Sequence, residues 1–161
     1  MSIRLLGADE KENYLAFRPE TPASLVTDRL GSGHLCFAAR YQGRIIGATW
    51  ATTKRAWIDY LDYDLPLRAG EVYTYDGFTL PEYRGHGVAP AISVHMLRYF
   101  AEAGYQRATR TILPENSASL RARKKAGYTP VGVMGYMRIG PWTRHFFSKI
   151  GSGNSTTAIS W

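Results

Sequence analysis

The stretch YRGHGVA, residues 83–89, constrains this chain more than any other. The residues before it, GEVYTYDGFTLPE, are β-branched and aromatic and predict a strand from Glu71 to Leu80. The residues after it, PAISVHMLRYFAEAG, predict a helix from Ala89 to Ala103. Val88, Ile92, Met96, Tyr99 and Ala103 follow helical spacing, Pro90 suits the first turn and Gly104 ends it. A strand that turns through glycines into a helix aims several backbone N–H groups at one point, where the helix dipole adds partial positive charge. Glycines there let a bulky anion touch the backbone, and Arg84 adds a fixed cation at the rim. The stretch reads as a phosphate cradle; the plainer alternative is a corner with no ligand. The third glycine of a dinucleotide-binding turn is missing, and no G-K-[ST] follows as in a P-loop.

Charge points the same way. The net charge of +7 is uneven: residues 1–83 hold 9 Lys/Arg against 11 Asp/Glu, and residues 84–161 hold 11 against 2. Such a basic half fits an anionic partner, whether a phosphorylated cofactor, nucleic acid or a membrane surface, or else is simply a basic surface. No run approaches the ~20 apolar residues of a membrane span, and MSIRLLGADEKENY lacks the apolar core of a signal peptide. Cys36 is the single cysteine, which excludes an internal disulfide and suits a cytoplasmic location. The four histidines show no metal-ligand spacing, so no metal is expected.

The length of 161 residues suits one domain, expected over residues 1–150, followed by a polar tail, GSGNSTTAISW, over 151–161. Ile3 to Leu6 predicts a short strand, and Ala8 to Phe17 and Ala23 to Leu30 predict helices. His34 to Tyr41 and Arg44 to Thr53 predict a hairpin across Gln42-Gly43. Residues 54–70 read as irregular. Arg107 to Leu113 predicts a strand, and Ser117 to Ala126 a helix capped by Asn116 and stopped by Gly127. Val131 to Ile139 predicts a further strand, with His145 to Phe147 as a last one.

LPEYRGHGVA resembles the acetyl-CoA signature of the GNAT N-acetyltransferases, R-x-x-G-x-G/A preceded by a proline, with Arg84, Gly87, Ala89 and Pro81 at the matching positions. Some thirty residues on, PENSASLRARKKAGY resembles the family's second signature at Asn116, Ser119, Gly127 and Tyr128. The resemblance covers roughly residues 35–139. It implies an α/β (α+β) fold: a mixed, mostly antiparallel sheet with helices on both faces and two central parallel strands that splay around the cofactor. It implies that pantetheine pairs with backbone near Phe78, Thr79 and Leu80. The pyrophosphate is expected on the amides of Gly85, His86, Gly87, Val88 and Ala89, with Asn116 and Ser119 along the pantetheine. Acetyl-CoA would then account for the basic half of the chain, and nucleic acid is the less favoured partner because no base-reading motif appears.

The implied reaction is direct attack of an amine on a thioester, with a backbone N–H at the kinked end of the Glu71–Leu80 strand polarising the carbonyl. Glu71, Tyr73 and Tyr75 share one face of that strand, and Asp76 lies on the other unless a bulge at Gly77 re-aims it. Family bases usually stand at positions matching Tyr73 or Tyr75. A phenol of pKa ~10 is a poor base at neutral pH, so Asp76 or Glu71 acting through water is favoured, and Tyr75 can hold a water chain. The alternative for both acids is a solvated strand end. Many family members carry a tyrosine seven residues after the asparagine as acid for the thiolate. Here that residue is Arg123, which keeps its proton and so serves by charge, toward the thiolate or a cofactor phosphate. WIDYLDYD, residues 57–64, alternates acids and aromatics, which suits an ammonium acceptor or else a packed surface loop. The expected function is acetyl transfer to a primary amine of a small molecule or amino sugar. The alternatives are a protein or peptide amine, or a CoA-binding module without catalysis. The sequence is compatible with a homodimer.

Overall fold

The computed structural model describes residues 1–150; the expected polar tail lies outside the described residues. Five strands form the main sheet in the order β1-β2-β3-β6-β7. They are β1 (Ser2–Leu5), β2 (Leu35–Tyr41), β3 (Arg44–Thr52), β6 (Glu71–Thr79) and β7 (Arg107–Thr109). All neighbours are antiparallel except β6 and β7, which run parallel. Two parallel neighbours need a crossover; α3 (Val88–Glu102) supplies it.

Alternation along the strands explains why both faces are covered. Phe37, Ala39, Ala51 and Val72 point to one face, where Val88, Ile92, Met96 and Phe100 of α3 pack at four-residue spacing. Cys36, Ala38, Ala48 and Trp50 point to the other, under Tyr14 and Phe17 of α1 (Lys11–Phe17) and Val26 of α2 (Ala23–Gly31). Trp50 Nε1 donates to Tyr14 Oη at 2.8 Å, so the largest buried ring keeps a polar partner. Being covered twice, β3 is buried from Ile45 to Thr52.

At the sheet edge near β1, Glu10 accepts from Arg4 Nη2 at 2.8 Å, from Arg40 Nη2 at 2.9 Å and from the Gly7 amide at 3.1 Å. Burial alone would raise its pKa, but the Gly7 amide and the two guanidiniums outweigh that and hold it below the usual glutamate value.

Three expectations change. Residues 54–70 hold a small antiparallel hairpin, β4 (Arg55–Ile58) with β5 (Tyr63–Pro66), whose Ala56 and Ile58 pack with Leu61 and Tyr73. The short, aromatic-rich alternation hid it. The strand expected to reach Leu113 ends at Thr109, because β6 and β7 pair only from Glu71↔Arg107 to Tyr73↔Thr109 and then part. The expected strand at 145–147 is longer: β8 (Gly132–Ile139) and β9 (Trp142–Lys149) make a separate hairpin. The remaining helix, α4 (Ser117–Lys125), packs against α3.

Candidate active site at the splayed strands

The site starts from a bulge. Ala48 pairs with Phe78 and Trp50 with Tyr75, so Thr49 on β3 faces two residues, Asp76 and Gly77, on β6. Asp76 takes a left-handed φ of 45°, which an aspartate tolerates better than most residues. The bulge removes Asp76 from simple alternation. Its carboxylate is gripped by Arg29 Nη1 at 2.6 Å and Arg18 Nη1 at 3.5 Å.

Beyond the bulge the strand reaches the glycine turn. Gly85 and Gly87 have φ of 82° and 77°, the left-handed region where a side chain would be strained, and Gly87 is the N-cap of α3. Within the described residues, no hydrogen bond engages the amides of Gly85, His86 or Gly87. The first N–H groups of α3 lack a helical partner by geometry. Arg84 is exposed at the rim, with Nε donating to Thr79 O at 3.1 Å, and His86 Nδ1 lies 2.9 Å from Arg84 O.

A cavity of about 590 Å³ runs from this turn to the bulge. Its β6 wall includes Gly77, Phe78 and Thr79, and its turn wall includes Arg84, Gly85, Gly87, Val88 and Ala89. Its α4 wall includes Asn116, Ser119 and Arg123. Leu80 and His86 do not line it: the Leu80 amide pairs with Ile46 O at 3.0 Å and its side chain joins the core, while His86 turns to solvent. Asn116 Oδ1 accepts from the Ser119 amide at 3.0 Å, capping α4.

The other residues singled out by sequence lie elsewhere on β6. Glu71, at its start, accepts from Arg107 Nη1 at 2.9 Å and from the Arg68 amide at 3.1 Å. Six residues of strand, ~20 Å, separate it from Gly77. Tyr75 Oη lies 2.5 Å from His34 Nδ1, and its ring stacks on Tyr73 with centroids 6.0 Å apart. Burial pushes the Tyr75 phenol up and that of Tyr73 up to about 12. Burial and the nearby Arg29 and Lys54 charges push the His34 imidazole down. Both partners are therefore neutral near pH 7, and they share one hydrogen bond between Tyr75 Oη and His34 Nδ1. Because the folded state resists protonating His34, its stability is full above the unfolded value of ~6.5 and falls as pH drops through it. Melting temperature measured from pH 8 to pH 5 should therefore fall more steeply for wild type than for His34→Gln; equal slopes would remove His34 as the cause.

Arg123 is 5% exposed, beneath α3, with Nη1 3.5 Å from Ala89 O and also meeting Ser93 Oγ. Burial, and then the charge of Arg110, pulls its pKa down. Arg110, just beyond β7, is the residue that sequence reasoning missed, together with Arg18, Arg29 and His34. Only a cation inside the apolar run RATRTIL hinted at Arg110. In the 57–64 stretch, Trp57 and Tyr60 are exposed, Tyr60 Oη meets Thr111 Oγ1, and Asp62 and Asp64 pair with Arg138 and Arg55. Among the described residues, no three His, Cys, Asp or Glu side chains cluster as metal ligands, and no helix is long and apolar enough to cross a membrane.

Comparison with known proteins agrees with this architecture. The model of the acetyltransferase (GNAT) family matches residues 5–128. The structure of AAC(6')-Iy in complex with the bisubstrate analog CoA-S-monomethyl-acetylneamine superposes with a TM-score of 0.63 at 20% identity, over 80% of this chain and 90% of that one. A ribosomal-protein-alanine N-acetyltransferase from Brucella melitensis superposes with a TM-score of 0.64 at 13% identity, over 93% and 99%. The aminoglycoside antibiotic 6'-N-acetyltransferase AAC(6')-Ih from Acinetobacter baumannii gives 0.60 at 15%, over 80% and 90%. Among curated protein sequences, none matches significantly. The chain belongs to the GNAT acetyltransferase family. It is accordingly an acyltransferase whose donor is acetyl-CoA.

Proposed function

We propose that the protein transfers the acetyl group of acetyl-CoA to a primary amine of a small molecule such as an amino sugar. The observation that carries this is the single cavity joining the amides of the glycine turn to the bulge at Gly77. It fits a long thioester laid with its phosphates at Gly85 to Ala89 and its acyl carbon at the bulge, where β6 and β7 have parted. The helix N-terminus and Arg84 suit the phosphates. Arg121 and Lys125, also on the cavity wall, add charge for them.

At the bulge the amine nitrogen bonds to the thioester carbon, and the C–S bond then breaks with its electron pair on sulfur. Arg123 offsets the developing thiolate charge without donating its proton. Asp76 takes up the ammonium proton through water or orients the amine. Glu71, held by Arg107 at the far end of the strand, is the weaker candidate, and Tyr75 is a neutral hydroxyl engaged with His34. The two aminoglycoside enzymes among the structural relatives support a small-molecule acceptor.

The test is thiol release from acetyl-CoA with amino sugars, polyamines, amino acids and peptides bearing a free N-terminal alanine. Amino sugars should be the best acceptors; turnover with the peptides alone would overturn the reading in favour of a protein substrate. Asp76→Asn keeps the left-handed backbone and should lower kcat by roughly 100-fold or more with acetyl-CoA affinity unchanged. Full turnover in that variant would remove Asp76 from the reaction.

A further inference from the structure

Two guanidiniums meet at the bulge, beside the buried Tyr128 phenol, with no carboxylate paired to either. Arg110 comes from the end of β7 and Arg123 from α4. A Cβ placed on Gly77 would lie 2.8 Å from Arg110 Nη2, 2.9 Å from Arg123 Nη2 and 3.0 Å from Thr49 Oγ1. Three side chains thus pack against Gly77: Thr49 and Arg123 on the cavity wall and Arg110 beside them, and only a glycine leaves room for them. Among the described residues, neither arginine has a salt bridge. Among the described residues, three buried polar side-chain atoms have no hydrogen-bond partner: Arg110 Nη1, Arg123 Nε and the neighbouring Tyr128 Oη. The partners Arg123 does have, Ser93 Oγ and Ala89 O, are neutral. Asp76, whose field reaches Arg110 after those of the Tyr128, Tyr73 and Tyr60 phenols, is already shared by Arg18 and Arg29.

Two like charges side by side, Arg123 buried and Arg110 half-buried, are costly unless a counter-charge arrives. The phosphates of CoA do not supply it, because the glycine turn at the other end of the cavity holds them. A leaving thiolate exists only in passing, and one cation serves it. A carboxylate is planar, takes two guanidinium forks at once and still accepts from a hydroxyl.

We propose that Arg110, Arg123 and Thr49 form, around Gly77, a binding site for the terminal carboxylate of a short dicarboxylic acyl group. CoA thioesters of the succinyl type are then bound and transferred in addition to acetyl-CoA. The inference rests on the placement of the thioester given under Proposed function. The transfer step itself is unchanged. The amine nitrogen forms the new C–N bond, the C–S bond breaks, sulfur leaves as thiolate, and the ammonium proton passes through water to Asp76. The distal carboxylate stays ionised, and nothing is oxidised or reduced.

Calorimetric titration of the whole protein with CoA, acetyl-CoA, butyryl-CoA and succinyl-CoA tests this without any acceptor. Butyryl-CoA has the same four-carbon acyl chain as succinyl-CoA but no carboxylate. Succinyl-CoA should bind roughly tenfold or more tightly than butyryl-CoA. Arg110→Gln should bring the two within about twofold while leaving free CoA unaffected. Equal binding of the two thioesters by wild type would overturn the carboxylate site, and that comparison stands even if the variant does not fold. An advantage for succinyl-CoA that survives Arg110→Gln would overturn it as well. Binding of no CoA species would sink the placement of the cofactor, whereas failure to acylate any amine sinks only the acceptor and leaves this comparison intact.

Discussion

Acetyl-CoA at a hundredfold excess over its dissociation constant should raise the melting temperature by roughly 5–10 °C, and Arg84→Ala combined with Gly87→Glu should erase that rise. The first change removes the exposed guanidinium beside the turn. The second puts a carboxylate where the α3 amides point, so it repels phosphate. It also forces a side chain onto a backbone with φ of 77°. That strain costs on the order of 1 kcal/mol in the free protein, so the unliganded variant should melt slightly lower. Gly87→Asn separates the two effects: asparagine tolerates the left-handed conformation and carries no charge, and should keep most of the ligand-induced rise. A double variant that still responds like wild type would show that the phosphates sit elsewhere.

Glu10→Ala should cost about 3–5 kcal/mol in urea unfolding, because it leaves the buried Arg40 guanidinium with only the Ala38 carbonyl, at 3.2 Å. Arg4 is exposed enough to find water instead; Arg40 is not. The folded pKa of Glu10 is lowered, so its contribution is present above the unfolded glutamate value of ~4.3 and is lost as pH falls through the folded one. The stability difference between wild type and Glu10→Ala should therefore be full at pH 7 and shrink in acid. A loss below 1 kcal/mol at pH 7 would mean that Arg40 is rehydrated or finds another partner.

The sheet was legible in advance because its signals are local. β2 and β3 are apolar runs on either side of Gln42-Gly43, and α3 repeats Val88, Ile92, Met96 and Phe100 along one stripe. The glycine turn was legible too, since Gly85 and Gly87 take the positive φ that glycine allows and α3 starts directly after them. What escaped was everything set by distant partners. The early end of β7 follows from the parting of two strands, which no residue in RATRTIL announces. Asp76 meets arginines 58 and 47 positions away, and Arg110 meets Arg123 only because α4 folds back over the sheet. The β4–β5 hairpin was hidden because only Ala56 and Ile58 of β4 turn inward, to Tyr73 and the small third core, while Trp57 faces solvent.

The grip of Arg18 and Arg29 on Asp76 makes that acid a clasp on the N-terminal helices. Arg18 closes α1 and Arg29 lies within α2. A cation arriving at Asp76 finds no empty berth and has to take the place of a guanidinium already there. Its arrival therefore trades an internal counter-ion for an external one, and the helices that cover the Trp50 face are released in proportion to how completely the exchange is made. On the reading proposed above, an ammonium docked at the bulge would thereby be felt by both helices.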